Sequence, residues 1–91
     1  MQSKSTTNKI WLRTVAGDEK ILKESIFDWR GDTLTSLSEI LASVCESLDE
    51  PTPIVLKSHL QDLKRFNVTR FSARDFVEIV YFEKMILELV K

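Results

Sequence analysis

Apolar side chains recur every three or four residues from Leu34 to Leu48, at Leu34, Leu37, Ile40, Leu41, Val44, Cys45 and Leu48. At about 100° per residue they fall within about 140° of arc, with Glu39, Ser43 and Glu46 opposite, and so predict an amphipathic helix. Asp32, Thr33 and Ser36 are its candidate N-caps, and Ser36 with Glu39 has the spacing of a capping box. Pro51 and Pro53 end it, because each lacks an amide hydrogen and restricts the residue before it. A second helix is expected beyond them. Its apolar face, Leu56, His59, Leu60, Leu63 and Phe66, spans about 120°, with Lys57, Gln61, Lys64 and Arg65 opposite.

Before the helices, Ile10 to Ala16 and Lys20 to Phe27 are two apolar, partly β-branched runs separated by Gly17, Asp18 and Glu19, which reads as a β-hairpin. A three-residue loop places Ile10 opposite Ile26 and Thr14 opposite Leu22, although neighbouring registers are nearly as good. Residues 1–8 carry no apolar side chain except Met1 and are expected to form a loose tail. After the second helix, Ser72 and Asp75 are spaced as another capping box, while Val77, Ile79, Val80, Tyr81 and Phe82 favour a strand. The preferred reading is a short helix from Ala73 to about Val80, then a strand from about Lys84 to Val90. A single helix from Ala73 to Lys91, with Phe76, Ile79, Phe82, Ile86 and Leu89 on one face, is the alternative. The expected fold is α+β: a hairpin, two or three helices and a C-terminal strand, forming one small mostly antiparallel sheet packed on helices. A chain of 91 residues has room for one such domain, over 9–91.

Composition removes several function classes. Two glycines, Gly17 and Gly31, cannot build the glycine-rich loops that cradle phosphates, and one cysteine with one histidine cannot build a structural zinc site or a Cys-x-x-Cys redox pair. No metal and no small-molecule cofactor is expected. Carboxylate pairs at Asp49 and Glu50, or at Asp28 and Asp32, lack calcium-hand spacing and read as solvated charges. Cys45 and His59 would serve as nucleophile and base only if the two helices brought them together; each lies on an apolar face and reads as core, the imidazole expected to donate to a backbone carbonyl. Arg30-Gly31-Asp32 and Asn67-Val68-Thr69 match an adhesion tripeptide and a glycosylation acceptor, both extracellular signals. The polar opening residues, the single cysteine and the lack of an 18-residue apolar run argue instead for a cytoplasmic protein outside the membrane, with Gly31 as a turn and Asn67 as a helix end.

Charge is segregated along the chain although 13 bases nearly balance 14 acids. Residues 18–50 carry a net charge of −6 and residues 51–74 a net charge of +4. The positive block supplies the candidate anion-binding residues Lys57, Lys64, Arg65, Arg70 and Arg74, a strip able to position phosphates. Phe66, Phe71 and Phe76 lie among these bases; exposed, they would suggest base stacking, but their apolar setting favours the core. Trp11 or Trp29 on an open sheet face would instead suit a protein contact or self-association.

The run from Pro53 to Phe66, followed by Thr69-Arg70-Phe71 and Asp75-Phe76, resembles a family of small uncharacterised bacterial proteins. The resemblance implies an α+β domain and transfers no site residue. The functional expectation is a non-enzymatic interaction or regulatory module whose partner is another protein or a second copy, with nucleic-acid or anion binding through residues 57–74 as the alternative.

Overall fold

The computed structural model describes residues 7–90. In chain order it contains β1 (Thr7–Val15), β2 (Ile21–Arg30), α1 (Leu34–Ser47), α2 (Lys57–Phe66), β3 (Val68–Ser72), a single 3-10 turn (Ala73–Asp75) and β4 (Lys84–Val90). The strands form one antiparallel sheet in the order β2-β1-β4-β3, so the first and last strands pair at its centre. The α+β expectation holds at this level.

Strand alternation decides the two faces of the sheet. Ile10 and Leu12 of β1, Met85 and Leu87 of β4, Phe71 of β3 and Trp29 of β2 join Leu37, Leu41, Val44 and Cys45 of α1 and Leu63 of α2 in one core. Both helices therefore lie on one face. Lys9, Trp11 and Arg13 of β1 point to the other face, which has no helix and is held by side-chain pairs across the strands. Lys9 meets Asp28 at 2.9 Å, the Trp11 indole donates to Glu24 at 2.9 Å, and Arg13 bonds Glu88 at 3.1 Å while lying 3.9 Å above the Trp11 ring centre.

The hairpin loop is Gly17–Glu19, closed by the Ala16 amide donating to Lys20 O (2.9 Å) and the Glu19 amide to Ala16 O (2.8 Å). The expected register holds only at Val15 opposite Ile21; an irregularity between Thr14 and Val15 then shifts it by one residue. Thr14 consequently faces Lys23 rather than Leu22, and Ile10 faces Phe27 rather than Ile26. A one-residue slip exchanges the faces of a strand. Here it turns Phe27 and Trp29 inward, burying the Trp29 indole and packing the partly buried Phe27 ring against the core, and leaves Leu22 and Ile26 exposed. The bulge is stabilised by the Lys23 amide donating to the Thr14 hydroxyl at 3.1 Å.

Helix α1 starts at the Thr33 cap, and the box is Thr33 with Ser36 rather than Ser36 with Glu39. The Ser36 amide donates to Thr33 Oγ1 (3.1 Å), and Ser36 Oγ accepts from the Trp29 indole (3.0 Å), joining the helix start to β2. Asn67 ends α2 in the left-handed region (φ 64°), as expected of a helix-ending residue, and Gly31 (φ 94°) makes the turn before α1.

Four expectations are corrected. β1 begins at Thr7, so Thr7 and Asn8 belong to the sheet; residues 1–6 of the expected tail lie outside the described residues. Val68–Ser72 forms a fourth strand that sequence reading missed. The expected helix from Ala73 to Val80 is one 3-10 turn: the Ser72 amide does donate to Asp75 Oδ2 at 2.8 Å, but Phe76 then extends (φ −117°, ψ 141°) to bury its ring. The alternative long helix to Lys91 fails because Lys84–Val90 is β4, the strand expected there.

Glu19 sits at φ 66°, a conformation that costs a non-glycine residue about 1 kcal/mol. Glu19→Gly is expected to stabilise the fold by about 0.5–1 kcal/mol and raise the thermal midpoint by several degrees, checked by circular-dichroism melting.

Candidate interaction surface

The basic strip is split by the fold. Lys57, Lys64 and Arg65 share the exposed side of α2, whose other side buries His59 and Leu63. Strand alternation buries Thr69 and Phe71 beneath the helices and sends Arg70 to the opposite face of the sheet, where Ile86 lies between it and Arg13. Arg74 is exposed on the 3-10 turn. Of the five expected residues, three share one surface. Lys64 lies 3.9 Å from Asp32, a solvent-exposed pair of little energetic weight. Phe71 and Phe76 are core, but Phe66, also expected to be buried, is 60% exposed at the last turn of α2, with the Arg65 guanidinium 5.9 Å from its ring centre. Of the two indoles, Trp29 is buried and Trp11 is half-buried on the helix-free face.

Cys45 and His59 engage different neighbours. Burial, aided by the Glu50 carboxylate, pushes the Cys45 thiol up to about 11, only partly opposed by a hydrogen bond with Thr52. His59 Nδ1 accepts from the Leu56 amide at 2.9 Å, capping α2; the ring therefore accepts a backbone bond where donation to a carbonyl was expected. The same ring lies 4.3 Å from that of Phe71, and Nε2 is 3.9 Å from Asp75. These contacts describe a structural histidine.

The candidate carboxylates also separate. Lys9 bonds Asp28 and holds its carboxyl below the usual range, while Asp32 faces Lys64. Asp49 and Glu50 join Glu46, Pro51, Thr52 and Glu78 around an open depression at the C-terminal end of α1. Among the described residues no group of three or more His, Cys, Asp or Glu is placed to hold a metal ion, and no helix is long and apolar enough to cross a membrane.

Beside this depression runs a segment of irregular backbone, the strap Phe76–Glu83, between the 3-10 turn and β4. Both ends are fastened. Ile54 N–H donates to Asp75 O and Glu83 N–H to Val15 O, each at 2.8 Å, and the buried Phe76 and Phe82 rings meet edge to face at 5.4 Å. Val80 packs on the core between them. The alternate residues Val77, Ile79 and Tyr81 are 85%, 86% and 94% exposed. No backbone amide from Val77 to Phe82 pairs with the backbone of another described residue. Val77, Ile79 and Tyr81 were read from sequence as part of a strand-favouring run, with Ile79 on the apolar face of the alternative helix; their exposure was not expected.

No family model matches the chain, and no curated protein or solved structure matches it either.

The raised thiol has two consequences. Native protein at mildly alkaline pH is expected to resist a disulfide reagent that labels Cys45 at once in denaturant. Because the folded value lies above the unfolded one, this group's contribution to stability is complete below about pH 9 and is lost as pH rises through about 11, which urea titrations at successive pH values would register.

Proposed function

We propose that the protein works without catalysis, as a cytoplasmic interaction module that docks another protein on the strap. The observation that carries this reading is the near-complete exposure of Val77, Ile79 and Tyr81 on a segment fastened at both ends. Isolated exposed apolar residues are ordinary, whereas three at alternate positions on one short segment form a patch of the kind that marks a binding surface. The non-enzymatic part is supported by the inward placement of Cys45 and the structural bonding of His59. A free, buried thiol suits a reducing compartment.

A photo-crosslinking side chain installed at residue 79 is expected to yield one discrete protein adduct in cells. The same group at the exposed Glu39 on α1 is expected to yield none. Equal patterns at both positions would sink the proposal.

Exposure of Phe66 beside Arg65 favours a second reading, binding of nucleic acid through Lys57, Lys64 and Arg65, with Arg70 and Arg74 outside that surface. If it holds, anisotropy of labelled single-stranded DNA or RNA rises with protein, falls steeply with salt and is abolished by Lys64→Glu with Arg65→Glu. No rise at low salt would reject it.

A further inference from the structure

We infer that the partner docked on the strap is a polypeptide segment rich in lysine or arginine that also carries apolar side chains; this rests on the docking reading above. Glu78 lies in sequence between the exposed Val77 and Ile79 and lines the same depression as Glu46, Asp49 and Glu50. Through Glu78 the strap forms one wall of the acidic depression, so an extended segment crossing the strap at Val77 and Ile79 comes within reach of those carboxylates.

The charge of that surface is concentrated. The C-terminal end of α1 carries the negative pole of the helix, where cations are favoured, yet its last turn has no base and Glu46, Asp49 and Glu50 cluster there. Lys23 is the cation that answers, its ammonium 2.8 Å from Leu48 O and 3.1 Å from Glu50. Among the described residues, Glu46, Asp49 and Glu78 have no cationic side chain within 4.0 Å. An incoming lysine or arginine supplies the missing positive charge while its apolar neighbours cover Val77, Ile79 and Tyr81. Nucleic acid is repelled by the same field. A second copy docking strap to strap would bring two acidic depressions together, so like-charge repulsion disfavours it.

The test titrates a short fluorescein-labelled peptide of alternating lysine and valine, and its glutamate–valine counterpart, with the purified full chain, reading anisotropy at low and near-physiological salt. The lysine peptide is expected to bind saturably, weakening about tenfold with the added salt, while the glutamate peptide does not bind. The triple variant Glu46→Gln, Asp49→Asn, Glu78→Gln and the pair Ile79→Ser, Tyr81→Ser are each expected to lose about tenfold in affinity. Their melting temperatures are expected to stay near wild type, because the replaced groups are exposed. Equal binding of both peptides, or unchanged affinity in the triple variant, overturns the basic partner while leaving docking on the strap intact. Lysine-peptide binding indifferent to the Ile79→Ser, Tyr81→Ser pair removes the strap itself. Failure of both peptides to bind also overturns the inference, and crosslinking from residue 79 then judges the docking reading separately. Sedimentation showing a dimer that this pair dissolves replaces the basic partner by a second copy.

Discussion

The pairing of β1 with β4 is the interaction on which the rest of the molecule depends. Lys9 opposite Val90 and Val15 opposite Lys84 bring together chain segments near the two ends of the domain. A lone two-stranded hairpin is marginal in water, and β1–β2 gains a third and fourth strand only through this contact. β3 attaches to β4, and α2 packs chiefly against β3, so both are held in place by the last strand. Pairing so distant in sequence requires a large loop to close before its reward is collected, which puts the assembly at the slower end for a domain of this size.

Local patterns were readable where periodicity and burial agree. Helix α1 buries four of its expected residues, Leu37, Leu41, Val44 and Cys45, and β4 occupies the span its apolar run marks. β3 escaped notice because five residues with charged Arg70 between buried Thr69 and Phe71 make no conspicuous apolar run; tertiary pairing with Met85 and Leu87 creates the strand. The hairpin register was ambiguous for a related reason. Either offset buries apolar groups, and the choice depends on Trp29 reaching Ser36 of a helix not yet formed when the hairpin is considered alone. The Ser72–Asp75 box was correctly seen, yet a cap initiates a helix without obliging it to continue once Phe76 has a core to enter.

The candidate surface was less legible than the fold. The segregation of charge along the chain was plain, but a linear strip from Lys57 to Arg74 crosses a helix, a strand and a turn, and strand alternation sends Arg70 to the other face. An apolar run such as Val77 to Phe82 normally signals burial. Its exposure arises from the ends: Phe76, Val80 and Phe82 take the available core positions, so the residues between them face water. The helix-free face of the sheet shows the opposite economy, its half-buried Trp11 already occupied by Arg13 and Glu24.

The Phe76–Phe82 clasp separates what the strap presents from what holds the domain together. Val77, Ile79 and Tyr81 contribute almost nothing to the core, so replacing them leaves the folding equilibrium nearly untouched. Selection can therefore rewrite these positions independently of the scaffold, as it does in the variable loops of recognition domains. A lineage carrying this fold is free to change what the strap presents to solvent through three codons.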